Sequence, residues 1–282
     1  MQKARLFFLI FAIIYVPSCS ETEIEIEEYS GSSYISMTTI DWRVGFYIEG
    51  SGPFNINWGD GSVEKGKLVP SDGIGVSHSY RHTISPDIKI SGNLKSLGIG
   101  GQITILNASN NEELFYLSCQ NCQITSLDVS KNTKLTFLDC YGNRLTSMDL
   151  TVNRALRDLN CRFNQLDGLD LSNNVALRVV RSCYNQLTFL DVSNNVTLEE
   201  IYCAENKLTS LDVTNNHRLR RLNLSDNKMD IEALNDLFES LHDNNVREKI
   251  ISITGNPGAN YCDKRIAIDK GWTFVEKSDF YW

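Results

Sequence analysis

The chain has 282 residues, 41% of them hydrophobic, which is enough to bury a sizeable core and too many for a disordered polymer. Its 35 acidic residues outnumber 27 basic ones, an imbalance that argues against nucleic acid as a partner. Residues 1–18 place Lys3 and Arg5 before an apolar run from Leu6 to Val16, which is too short to span a membrane and suits an export signal. Beyond it, 25 basic residues face the 35 acidic ones.

The signal segment ends in "VPSC", and Val16, Ser18 and Cys19 are similar to a bacterial lipobox, although Pro17 departs from that pattern. The resemblance implies a lipid on Cys19 and a membrane reached through it; the plainer alternative is secretion with an incidental cysteine. The acidic stretch "SETEIEIEE", within a tether spanning 19–33, resembles the tethers of Bacteroidetes surface lipoproteins. That likeness implies an outer-membrane, cell-surface location.

Residues 34–92 read as short strands with turns, as in "WRVGFYIEGSGPFNINWGDGSVEKG". "NWGDGS" puts Asp60 and Gly61 at a hairpin tip. With "HSY" about twenty residues on, it resembles a PKD-like immunoglobulin sandwich. A metal on Asp60, His78 and His82 is disfavoured, because a turn needs its aspartate for backbone reasons and the histidines lack ligand spacing.

From 93 to 229 the chain repeats every 21 residues, in "LTFLDCYGNRLTSMDL", "LRDLNCRFNQLDGLDL" and "LEEIYCAENKLTSLDV". Units begin at Leu94, Leu114, Leu135, Leu156, Leu177, Leu198 and Leu219, and "KIISITGN" restores the motif for an eighth strand. The pattern L-x-x-L-x-C-x-x-N-x-L resembles the leucine-rich repeat. That implies a solenoid whose short strands form a parallel sheet on the concave face. Asn143, Asn164, Asn185, Asn206 and Asn227 recur where each strand turns, and their amides are expected to bond backbone groups of adjacent coils. Asp128, Asp149, Asp170, Asp191 and Asp212 form another column. One carboxylate per coil favours turn capping over a calcium ladder, since calcium needs several oxygens.

Cys119, Cys140, Cys161 and Cys203 share one inward position, with Ser182 in the remaining unit. A compact thiol suits an interior too narrow for leucine in every coil, and the resemblance is to internalins with a cysteine ladder. In-register parallel side chains are poorly directed for disulfides, and no histidine accompanies the ladder as a base. Cys183, next to Ser182, is expected to face outward and to be the reactive thiol of the repeats. Beyond 229, "DIEALNDLFESLHDNN" reads as an amphipathic helix capped by Asp230, and Trp272 and Phe274 are expected to close the last coil.

Outward strand positions hold Tyr116, Phe137, Asp139, Tyr141, Arg162, Phe163, Arg181, Tyr184 and Tyr202, with Asp158, Glu200 and Arg221 among them. Aromatic and arginine side chains on an open face are typical binding anchors, although large residues on a strand can also simply cover one another. The expected function is a surface binding or adhesion protein for a protein or peptide ligand, with glycan binding as the alternative. No cofactor or metal is expected. Catalysis is the weakest reading, because no nucleophile with a base is visible and an Asp139–Asp158 pair on an open face excludes little water.

Overall fold

The computed structural model describes residues 33–69, 72–81 and 86–280. The signal segment, Cys19, nearly all of the acidic tether, and His82 lie outside the described residues. Six strands come first: β1 (Tyr34–Thr39), β2 (Arg43–Asn57), β3 (Val63–Leu68), β4 (Ile74–Ser79), β5 (Asp87–Gly100) and β6 (Ile103–Asn107). β2 pairs antiparallel with β3, β4 and β5, and β1 lies antiparallel to both β5 and β6. Inward residues alternate along β1 and most of β5, as one buried face requires.

β5 joins this sheet to the repeats. Its first half pairs with β1, whereas Ser96–Gly98 pairs in parallel with β7 (Tyr116–Ser118). Near the change of partner, Gly92 has φ 151°, and a Cβ there would lie 2.9 Å from the Cβ of Phe54. A larger residue could not pass. β2 and β4 therefore cover the edge that a parallel stack would otherwise leave open.

The solenoid continues through β8 (Ser126–Asp128), β9 (Phe137–Asp139), β10 (Asp158–Asn160), β11 (Val179–Arg181), β12 (Glu200–Tyr202) and β13 (Arg221–Asn223). After it come helix α1 (Ile231–Ser240), β14 (Ile250–Ser252), helix α2 (Arg265–Asp269) and β15 (Thr273–Phe274). β8 sits apart, parallel to β6 on a second wall. The others form one parallel sheet from β5 to β15, in register through Leu97, Leu117, Leu138, Leu159, Val180, Ile201, Leu222, Ile251 and Phe274. All but Phe274 are fully buried. β14 is the eighth strand the sequence foretold, and β15 adds a ninth.

The asparagine column does what its chemistry predicts. Asn164 Nδ2 donates to the carbonyls of Cys140 (3.0 Å) and Cys161 (3.1 Å), while its Oδ1 accepts from the Leu145 amide (3.0 Å). One amide thus ties its own turn to the preceding coil. Asn143, Asn185, Asn206, Asn227 and Asn256 repeat the arrangement. The aspartates cap their own turns, as when Asp149 Oδ1 accepts from the amide (3.0 Å) and hydroxyl (2.7 Å) of Thr151.

A second ladder runs along the opposite turns. Asn132, Asn153, Asn174, Asn195 and Asn216 are fully buried, and each donates to two backbone carbonyls of the previous coil.

With the Ser182 hydroxyl buried in the same column, Cys119, Cys140, Cys161 and Cys203 are buried free thiols. Burial raises their pKa values, that of Cys203 to about 12. Leu224 and Ile253 take over the position where the coil lengthens to accommodate α1, so a wider coil admits a larger side chain. Asp230 caps α1 by accepting from the Ala233 amide (2.9 Å), and Leu234, Leu237 and Phe238 face inward. Trp272 is buried, with Nε1 donating to the His242 carbonyl (3.0 Å).

Two predictions follow from the ladders. Asn164→Ala strands the Leu145 amide in the interior at about 1–3 kcal/mol and removes one of the two asparagine bonds at each of the Cys140 and Cys161 carbonyls, which keep Asn143 and Asn185, at about 0.5–1.5 kcal/mol each, so a loss of about 3 kcal/mol is expected. Thermal melting should show a Tm roughly 6–12 °C lower, against a far smaller change for Asp149→Ala in its exposed turn. Mass spectrometry of the air-oxidised folded protein should find no disulfide among Cys119, Cys140, Cys161 and Cys203; finding one would mean that the coils open far enough to bring sulfurs together.

Candidate binding face

Four outward columns cross the sheet. The first runs through Tyr116, Phe137, Asp158, Val179, Glu200 and Arg221, and the second through Ser118, Asp139, Asn160, Arg181, Tyr202 and Asn223. Just beyond the strands, a third column holds Gln120, Tyr141, Arg162, Cys183, Ala204 and Ser225. The fourth holds Asn121, Gly142, Phe163, Tyr184, Glu205, Asp226 and Gly255. Backbone bonds from the fourth-column amides of Asn121, Gly142, Phe163, Tyr184 and Glu205 to third-column carbonyls one coil on keep them aligned, as from Phe163 to Cys183 (3.0 Å) and Tyr184 to Ala204 (3.0 Å).

Every fourth-column residue has a left-handed backbone, with φ between 53° and 78°. Asparagine and glycine accept this conformation readily; Phe163 and Tyr184 do not, and each such residue costs about 1–2 kcal/mol. Phe163 is nonetheless 42% exposed. It stacks on Tyr184 at 4.1 Å between ring centroids and meets the Tyr141 ring edge-on at 5.2 Å. Tyr141, Phe163 and Tyr184 therefore form a diagonal track, although they do not share one column. Tyr116 and Phe137 make a second stack, at 4.5 Å and nearly parallel.

Charged residues are threaded between the rings. Arg181 pairs with Asp158 at 2.6 Å and lies 5.7 Å from the Tyr202 ring centroid, while Arg162 lies 5.4 Å from that of Tyr141. Burial raises the pKa of Asp158, and the Arg181 charge opposes the shift.

Three sequence expectations need correction. Asp139 lies on the sheet face but is only 6% exposed, closed over by Gln120, whose Nε2 donates to its carboxylate at 2.7 Å. Burial raises its pKa. Tyr202 is 5% exposed because Phe280 packs against it edge-on, with centroids 5.8 Å apart. Cys183 does point outward beside an inward Ser182, yet it is fully buried beneath the same Phe280, and burial raises its pKa to about 11. It is therefore not the reactive thiol; half-buried Cys262 is the most accessible cysteine among the described residues.

Away from this face, His78 Nε2 lies 2.8 Å from Asp60 Oδ2 and 3.5 Å from Ser62 Oγ. A catalytic relay needs the acid and the hydroxyl on opposite ring nitrogens; here both face one. The hydrogen bonds to Ser62, then that to His78, lower the pKa of Asp60 to about 2, and the imidazole stacks on buried Trp58 at 4.8 Å. This cluster braces a hairpin. Among the described residues no group of three or more His, Cys, Asp or Glu side chains is arranged to hold a metal ion.

No protein-family model and no curated protein matches the chain. Among solved structures, it is similar to the functional domain of InlJ from Listeria monocytogenes, described as including a cysteine ladder, at 30% identity over 62% of this chain and 42% of that one, with a TM-score of 0.45. A leucine-rich repeat protein of Leptospira interrogans matches at 20% identity over 62% and 52%, with a TM-score of 0.51. The leucine-rich repeat domain of APL1B gives 21%, 60% and 50%, with a TM-score of 0.48. The chain thus spans about half the length of these structures or less. Together with the in-register parallel sheet, the Leptospira likeness establishes the fold as a leucine-rich repeat solenoid.

Proposed function

We propose that the chain is a non-enzymatic binding protein that takes a protein or peptide ligand on its strand face. One observation carries this reading: Phe163 and Tyr184 occupy left-handed backbone positions that disfavour large side chains, and Phe163 is also substantially exposed. Costly local conformations persist where function needs the residue. Aromatic anchors beside arginines suit a protein interface.

Ring geometry favours protein over glycan. Sugar rings stack on free aromatic faces, whereas Tyr116 with Phe137, and Phe163 with Tyr184, already lie face to face. Ring edges and the flanking Arg162 and Arg181 remain for contact. In this reading, residues 34–92 act as a PKD-like spacer that also covers the sheet edge. Cys19 carries the lipid that anchors the protein at the cell surface. Among the described residues no helix is long and apolar enough to cross a membrane.

A displayed peptide library and a glycan array, each probed with the wild type and with Tyr141→Ala/Phe163→Ala/Tyr184→Ala, test the assignment. Peptides should be enriched by the wild type and lose at least about 2 kcal/mol, roughly thirtyfold, on the variant. Each truncation should alter stability by only about 0.5 kcal/mol. Undiminished peptide binding by the triple variant, or binding confined to glycans, would show that the track is not a protein-binding surface. Metabolic labelling with a fatty acid should mark the wild type and not Cys19→Ala; an unlabelled wild type refutes the anchor.

A further inference from the structure

Beyond β15 the chain turns back across the strand face it has just completed. Val275 donates its amide to the Ile251 carbonyl (3.0 Å), and Lys277–Asp279 forms a single 3-10 turn closed by reciprocal bonds between Glu276 and Asp279. Phe280 then lies 1% exposed against Tyr202, Cys183 and Ala204. These contacts join residues far apart in sequence.

The surface beneath this strap has the form of a socket. Along the third column the side chains are long at Gln120, Tyr141 and Arg162, then short at Cys183, Ala204 and Ser225. The step leaves a pit floored by a thiol and a methyl group, and Phe280 fills it. Beside the pit the fourth column changes from Phe163 and Tyr184 to Glu205 and Asp226, again with left-handed backbones. Lys277 Nζ reaches both carboxylates, at 2.5 Å and 2.7 Å, and stands 5.4 Å from the Tyr184 ring centroid. Three consecutive strained residues thus surround one ammonium group.

Closing the stack does not require this strap. α1, α2, Trp272 and Phe274 already cover the last coil. Lys277 and its two partners are all partly exposed, and ion pairs of that kind hold weakly. On the binding role proposed above, the strap lies where a ligand would lie, held by these ion pairs and by Phe280.

We propose that residues 276–280 are an intramolecular occupant of a peptide site, and that the partner is a protein segment presenting a cationic side chain with an aromatic ring three residues later, which displaces the strap. This deepens the binding role proposed above and rests on it. The acidic wall and apolar pit recognise those two groups, and Tyr184 links the site to the aromatic track.

Cys183 reports directly on the strap. In the full chain a thiol reagent should modify Cys262 and leave Cys183 and Cys161 unreacted. In Lys277→Ala/Phe280→Ala, Cys183 should react at least tenfold faster while Cys161 stays protected. A synthetic peptide of residues 276–282 should bind this opened protein and not the wild type, and the same peptide with alanine at both positions should bind neither.

Should the double variant unfold, Cys161 will label as well, and the strap is then a structural brace and the proposal fails. Phe280→Ala alone provides a milder opening with the same readout. A Cys183 that stays shielded in folded variants, or an exposed socket that binds glycans but not the peptide, also overturns it. Tyr141 and Phe163 lie outside the strap's contacts, so their truncation tests the wider binding role separately.

Discussion

Every coil must reproduce the turn of its neighbour, because parallel strands only three residues long leave little backbone pairing of their own to hold register. The buried asparagine amides meet that constraint. Each satisfies carbonyls in its own and the preceding turn and accepts a backbone amide, so shifting one coil would strand polar groups in the interior. The second ladder repeats the tie on the opposite turns by donation alone. With both walls pinned, the interior has a fixed width, and the compact thiols of Cys119, Cys140 and Cys161 fit between the leucine rows. Where α1 lengthens the coil, Leu224 replaces them.

A fixed frame leaves the outward columns free to differ from coil to coil. They hold stacked rings toward the N-terminal coils, arginine–aspartate pairing in the middle, and an acidic wall with an apolar pit toward the C-terminal end. Since the inward residues bear the stability, these outward changes cost little, apart from the strain at Phe163 and Tyr184. A repeat fold can in this way carry a specific surface without altering its core.

How much of this was legible in the sequence depended on whether the cause was local and periodic. Asn164, Asp149 and Cys140 recur every 21 residues, and their spacing alone gave their roles. The second asparagine ladder was equally visible at Asn132, Asn153 and Asn174, yet its burial becomes evident only once coil stacking is known. Ser182 and Cys183 were correctly oriented from the register. The burial of Cys183 and Tyr202 was not legible, because Phe280 covers them from some 80 to 100 residues away and no repeat marks that contact. The passage of β5 from one sheet into the next escaped notice for the same reason: strand partners are chosen by tertiary packing, and the strand's alternation reads alike on either side of Gly92.

Whether the strained aromatics serve binding or stability can be measured directly by thermal melting of Phe163→Asn. Asparagine already occupies this column at Asn121 and tolerates the left-handed backbone, so it removes about 1–2 kcal/mol of strain while giving up the packing of a partly exposed ring. If the ring is held for a ligand, these effects offset and the Tm stays within about 3 °C of the wild type, or rises. A fall of more than about 8 °C would show that Phe163 is part of the packing that holds the coils together, and the binding face would lose its central residue.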